Sequence, residues 1–226
     1  ILDLSHGLQT PLAVLKGRIE GLERNMIHEG GGTGLLESIE SLSGFVNELL
    51  ALASLEQSLE GEAWETFSLS RLMHAIAEEC GVIAGADGIR LSASIASDVI
   101  FFGNEKRMRE AVMNLVANSI KYMGEGAGKE IRLSLVRERA RIRVEVADTG
   151  MGIAEADLPR IFDRFYRGSM QRYGTVPGTG LGLSISKRIV EEHGGEIGVR
   201  SEVRRGTAVT LTFPYKKRGR SRTRLP

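Results

Sequence analysis

Two hydrophobic periods divide this chain. From Leu4 the apolar residues Leu8, Leu12, Leu15, Ile19, Leu22 and Met26 follow in steps of three and four, and a second run, Leu35, Ile39, Leu42, Val46 and Leu49, continues through Leu52 and Leu55. Such steps put one apolar stripe along a helix. Between the two runs, Gly30-Gly31-Gly32-Thr33-Gly34 breaks the pattern. The spacing therefore predicts two helices in an antiparallel hairpin over residues 1–58. A hairpin alone leaves its stripes half exposed, so burial predicts pairing with a second copy into a four-helix bundle, and hence a homodimer.

After Gln57 the stripe fades, and 59–66 reads as a linker in which Trp64 packs at a domain junction. Over 67–215 helical spacing at about 69–84, 105–123 and 182–193 is interleaved with strict alternation at Ile131, Leu133, Leu135, at Ile142, Val144, Val146 and at Val209, Leu211, Phe213. Strands and helices in that order predict an α/β sandwich with helices covering one face of a sheet. A length of 226 residues, 42% of them hydrophobic, is enough for both cores. No apolar run approaches the ~18 residues of a membrane span and no secretory leader precedes Ser5, so this stretch reads as soluble. Because the helical pattern is under way at the first residues, an upstream part is expected. The lone Cys80 excludes an internal disulfide and fits packing within a helix in a reducing compartment. A net charge of +1 gives no sign of nucleic-acid binding by the folded body, and the basic stretch 216–226 reads as a solvated tail.

Four clusters carry chemistry. Glu110, Asn114 and Asn118 recur every four residues and share one helix face. Asparagine is a poor helix former, and two amide oxygens beside a carboxylate suit Mg²⁺ held against nucleotide phosphates, although a solvated polar face has the same spacing. Asp148-Thr149-Gly150-Met151-Gly152 ends a strand: its glycines let backbone approach a flat ligand, and its carboxylate can accept from an exocyclic amine such as adenine N6. Gly178-Thr179-Gly180-Leu181-Gly182 runs into a helix and offers N–H groups to phosphate. Between these lies Ile161-Phe162-Asp163-Arg164-Phe165-Tyr166-Arg167, an aromatic anchor for a glycine-rich lid in which Arg164, Tyr166 and Arg167 are candidates for phosphate contact. Far upstream, His6 sits in Leu4-Ser5-His6-Gly7-Leu8-Gln9-Thr10-Pro11-Leu12; Pro11 cannot donate an N–H to the Gly7 carbonyl, so the helix is expected to bend just past the histidine.

Together these clusters resemble the catalytic core of a bacterial two-component sensor histidine kinase. His6 to Leu12 is similar to the phosphoacceptor H box, Asn114 to Tyr122 to the N box, Asp148 to Gly152 to the first glycine box, Ile161 to Tyr166 to the F box and Gly178 to Leu183 to the second glycine box. The resemblance, covering about Leu2 to Pro214, implies a dimeric helical bundle followed by an α/β sandwich of the GHKL (Bergerat) type. It implies ATP and Mg²⁺ as cofactors, transfer of the γ-phosphate to His6, and passage to an aspartate on a response-regulator receiver domain. It assigns Asn114 and Asn118 to Mg²⁺, Lys121 and Tyr122 to nucleotide contact, Asp148 to adenine, and Gly150, Gly152, Gly178, Thr179, Gly180, Leu181 and Gly182 to the nucleotide cradle. A role for Glu110 at the metal is added from its position on the helix face. The resemblance also implies a cytoplasmic location for this portion and an inner-membrane location for the full protein, through transmembrane helices upstream.

The H box departs from the family at two positions. Most members carry an acid directly after the histidine and a basic residue three after it, where this chain has Gly7 and Gln9; a nonacidic residue there is similar to PhoQ-type sensor kinases. An acid at that position assists proton removal, help typically worth ~10²- to 10⁴-fold. Gly7 cannot supply it, whereas Thr10 stands where the family places water for dephosphorylating the regulator. An active but slow autokinase with regulator phosphatase activity is expected. Two other readings share the motifs: an ATP-binding pseudokinase acting mainly as a regulator phosphatase, and a GHKL ATPase of the mismatch-repair or chaperone type that forms no phosphohistidine. His193, before Gly194-Gly195, reads as part of a helix C-cap, and His28 and His74 have no metal-site neighbours.

Overall fold

The computed structural model describes residues 63–125, 128–168 and 180–215. The hairpin expected over 1–58 and the tail 216–226 lie outside them, as do His6, Thr10, Gly178 and Thr179. The described residues fall into two compact units, one holding Ala63–Leu158 and the chain from Ser186 onward, the other drawn from Pro159–Ile185.

The larger unit opens with β1 (Glu65–Ser68), whose first two residues overlap the end of the stretch expected to be linker. It pairs antiparallel with β3 (Ile100–Gly103), Phe67 opposite Phe101. Helix α1 (Leu69–Ala86) starts at Ser68, whose hydroxyl accepts the N–H of Arg71 and so satisfies one orphan donor of the first turn. Leu69, Leu72, Met73, Ile76, Cys80 and Ala84 form its buried stripe. Ser70, also buried, is fully used: its hydroxyl donates to the Ala96 carbonyl and accepts the Val99 N–H. Helix α2 (Glu105–Lys121) is capped by Asn104, whose side-chain oxygen accepts from Arg107 N, and carries Lys121 in its last turn, where a cation suits the helix dipole.

A five-stranded sheet completes the unit in the order β2 (Arg90–Ile95), β4 (Glu130–Arg137), β5 (Arg141–Asp148), β7 (Gly206–Pro214), β6 (Glu196–Glu202). The β2–β4 pair is parallel and every other pair is antiparallel. Strict alternation makes one face apolar: Ile131, Leu133 and Leu135, Ile142, Val144 and Val146, and Val209, Leu211 and Phe213 are buried. Helix α1 packs on β2, and α2 packs on α1, β4 and β5. The opposite face carries charged and hydroxyl residues, with Arg200 paired to Glu145 and Arg143 to Glu138. Cutting any of the large core side chains to alanine costs about 2–5 kcal/mol.

Helix α3 (Gly182–Glu192) runs from the second glycine motif. In its later turns Ile189 and Val190 are buried, and the buried Ser186 hydroxyl donates to the Ala111 carbonyl of α2. Gly194, at φ +69°, supplies the left-handed residue that ends it. Among the described residues no helix is long and apolar enough to cross a membrane.

Candidate active site

The site in the larger unit is built where α2 ends and β5 ends. Glu110, Asn114 and Asn118 lie along one partly exposed face of α2. The amides of Asn114 and Asn118 make no hydrogen bond to any described residue, so their oxygens are uncommitted. Glu110 is partly committed, because one of its oxygens lies 3.4 Å from the guanidinium of the buried Arg107. No cluster of three or more His, Cys, Asp or Glu that could hold a metal occurs among the described residues. A divalent ion here would therefore take amide oxygens, water and ligand phosphate, a set that fits Mg²⁺.

Asp148, the last residue of β5, is held by three donors. Oδ1 accepts the N–H of Gly150 at 2.9 Å and of Thr207 at 3.1 Å, and Oδ2 accepts the hydroxyl of Ser119 at 2.9 Å. A carboxylate offers about four acceptor positions, so this one is fixed in orientation and keeps acceptor capacity on Oδ2. Ser119 and Thr207 were not legible in the sequence. A helical serine is unremarkable, and Thr207 reaches Asp148 only because β5 pairs with β7, Ala147 opposite Ala208.

The loop after Asp148 is tied on all sides. Met151 N–H donates to the carbonyl of Tyr122, the C-cap of α2; Arg204 N–H donates to the Met151 carbonyl; and Ile153 N–H donates to the Ser201 hydroxyl. Thr149 joins the loop to β4, its hydroxyl accepting from Glu130 N–H. The glycines have a packing reason that their spacing does not disclose. A Cβ on Gly150 would lie 2.5 Å from the Tyr122 carbonyl oxygen, and one on Gly152, at φ +71°, would fall against the Glu202 carbonyl. At both positions the protein's own backbone passes too close for a side chain. Lys121 and Tyr122 adjoin this loop, the ammonium 5.2 Å from the phenol ring centre.

In the smaller unit the aromatic motif turns sharply. Phe165 has φ +62°, its N–H donates to the Gly180 carbonyl, and the Arg160 guanidinium lies 4.3 Å over the Tyr166 ring. Gly180, at φ +78°, has no room for a side chain, because a Cβ would lie 2.7 Å from the Tyr166 carbonyl oxygen. Leu181 is buried, while Gly182 is partly exposed and begins α3. Arg164 and Arg167 are exposed.

His193 does more than close a helix. Its imidazole is bonded at both nitrogens and stacks on Trp64 at 4.7 Å, and burial lowers its pKa below the ordinary value.

The family described as "Histidine kinase-, DNA gyrase B-, and HSP90-like ATPase" matches residues 103–217. Sensor histidine kinase RppB of Synechocystis sp. is 35% identical over 218 residues, covering 94% of this chain and 48% of that protein. Sensor histidine kinase YkoH of Bacillus subtilis is 32% identical over 224 residues, 97% of this chain and 48% of that protein. Full-length ShkA, solved in complex with AMPPNP, superposes with a TM-score of 0.67 at 26% identity, over 94% of this chain and 45% of that one. The chain spans about half the length of the curated relatives it matches. With an asparagine-bearing helix leading to a strand-end aspartate clamped by its own glycine loop, the chain belongs to the histidine kinase-, DNA gyrase B- and HSP90-like ATPase family, among the catalytic cores of bacterial sensor histidine kinases.

Proposed function

We propose that this chain binds ATP and Mg²⁺, transfers the γ-phosphate to His6, and passes it to an aspartate of a response-regulator receiver domain. The observation that carries the nucleotide half is Asp148, fixed by Ser119, Gly150 and Thr207 with acceptor capacity left on Oδ2 for the exocyclic amine of adenine. The uncommitted amides of Asn114 and Asn118 support a metal site beside it, with Glu110 alongside. Mg²⁺ in that place supplies neutralising charge on the phosphates. Lys121, Tyr122, Arg164, Tyr166, Arg167 and the Gly178–Gly182 segment complete the nucleotide contacts in this reading.

His6 attacks as the neutral imidazole, the main form of an unperturbed ring at neutral pH. One ring nitrogen bonds to the γ-phosphorus, the bond to the bridging oxygen breaks, ADP leaves, and the ring gives up its proton. The phosphoryl group then exchanges its P–N bond for a P–O bond on the regulator's aspartate. Gly7 offers no base for the proton, which makes the autokinase slow, and Thr10 places water for the regulator phosphatase reaction. Residues 1–58 serve as the dimeric phosphoacceptor bundle, 67–215 as the catalytic domain, and the full protein is anchored in the inner membrane by a region upstream.

Incubation with γ-labelled ATP and Mg²⁺, with His6→Ala and Gly7→Glu alongside, tests this. Acid-labile, alkali-stable label is expected on the native chain, none on His6→Ala, and faster labelling of Gly7→Glu. Gly7 also favours a second reading, the pseudokinase that acts mainly as a phosphatase. Bound ATP with no label on the native chain would select it, and free phosphate without label would select the plain ATPase.

A further inference from the structure

The imidazole of His193, outside the proposed nucleotide contacts, is held at both ring nitrogens. Nδ1 lies 2.7 Å from the carbonyl oxygen of Ile189, one turn back in α3, and Nε2 lies 3.0 Å from the backbone nitrogen of Asn104. A carbonyl only accepts and a backbone N–H only donates, so the ring is the neutral tautomer with its proton on Nδ1. The imidazolium fails here, since a second ring N–H would point at the Asn104 N–H. The ring is also boxed in: Trp64 stacks on it, Phe101 stands 5.9 Å away, and a Cβ on Gly103 would come within 2.5 Å of a ring carbon. Packing of this kind leaves the ring one orientation.

Asn104 is the residue on which α2 begins. Its side-chain oxygen caps the helix at Arg107 N, and Arg107 in turn meets Glu110. The seventeen residues of α2 carry Glu110, Asn114, Asn118 and Ser119, and a hydrogen-bonded helix transmits a shift at its first turn along its length. We propose that His193 is a positioning residue for the nucleotide site: by accepting the Asn104 N–H it fixes the start of α2, and with it the rotation and height at which Asn114 and Asn118 are presented. This rests on the reading of α2 as the metal and nucleotide helix. The ring itself touches neither.

Burial is the main reason His193 stays neutral; the Ile189 carbonyl, and then Glu192, its neighbour in α3, work the other way. Trp64, Phe101 and Gly103, which face the ring from the chain before β1 and from β3, carry no charge. Protonation, pushed by burial below the ordinary imidazole range, competes with the bond to Asn104 as pH falls.

Calorimetric titration of the full chain with AMPPNP and Mg²⁺ between pH 5.5 and 7.5 tests the proposal, on wild type, His193→Phe and His193→Gln. Phenylalanine fills the space and stacks but accepts nothing, and at pH 7.5 it is expected to weaken binding about tenfold, the worth of one hydrogen bond. Glutamine can present an acceptor oxygen and is expected to recover most of that loss. As pH falls, wild-type affinity should drop relative to His193→Gln, because only the imidazole titrates. Unchanged affinity in His193→Phe with a lowered Tm would overturn the proposal and leave a purely structural side chain, as would parallel pH profiles for wild type and His193→Gln. Should His193→Phe not fold, those two profiles decide. Failure of the wild-type chain to bind AMPPNP at all would refute the nucleotide reading itself, and this role with it, before any variant is compared.

Discussion

Gly150→Ala separates two reasons for a glycine beside a ligand. Gly150 does not have a positive φ, so alanine meets no conformational penalty there and its cost is contact alone. The added Cβ would stand 2.5 Å from the Tyr122 carbonyl oxygen, 2.9 Å from Asp148 Oδ1 and 3.2 Å from the Met123 Cα. Ordinary carbon–oxygen contact is ~3.3 Å, so the loop must draw back from the end of α2 by the better part of an ångström. Overpacking of this sort costs about 1–3 kcal/mol. Retreat also loosens the 2.9 Å bond from Gly150 N–H to Asp148, a bond to a charged acceptor worth about 1.5–3 kcal/mol. With partial relaxation the sum is about 3 kcal/mol, which lowers the denaturant midpoint in proportion. The assay is urea unfolding of nucleotide-free protein followed by fluorescence, for which the sole tryptophan, Trp64, stacked on His193, is a local reporter. An unchanged midpoint without nucleotide, accompanied by weaker nucleotide binding, would refute the packing argument and return Gly150 to ligand clearance.

Two further predictions follow from buried groups. Ser119→Ala removes the hydroxyl that donates to Asp148 Oδ2 and is expected to destabilise the nucleotide-free protein by about 1.5–3 kcal/mol in the same urea assay, whereas a loss under 0.5 kcal/mol would mean water replaces it. Burial, with Glu79 adding to it, raises the pKa of the Cys80 thiol, so the unfolded chain releases this proton first as pH climbs and native stability declines through the thiol's ordinary range and above. At pH 8 a disulfide reagent should modify Cys80 on the order of 100-fold more slowly in native protein than in urea, with equal rates showing that the thiol is accessible.

Which parts of the fold the sequence disclosed depends on how deeply each part is buried. The three α-helices of the described residues were legible because each buries a stripe, and β4, β5 and β7 because their alternating residues form the floor of the core. Strands β2 and β6 were missed, and both are sheet edges: no residue of either is fully buried, so Arg90-Leu91-Ser92-Ala93-Ser94-Ile95 and Glu196-Ile197-Gly198-Val199 show only a faint alternation. The four-residue strands β1 and β3 are too short for a period to register, and the expected linker, 59–66, therefore ran two residues into β1. At the site, Asp148, Asn114 and Asn118 announce themselves as polar residues where propensity disfavours them. Ser119, Thr207 and the packing role of Gly150 depend on which strands become neighbours, a property of the assembled sheet rather than of any local stretch.

Strands β5 and β7 lie side by side, yet everything from Thr149 to Arg205 comes between them in sequence: the glycine loop, the aromatic turn, α3 and β6 among them. Closing such an excursion costs entropy only with the logarithm of its length, so doubling it adds about 0.6 kcal/mol. The same insertion delays the sheet, whose central pairing waits on a contact distant in sequence, so the domain should fold in milliseconds or slower rather than microseconds.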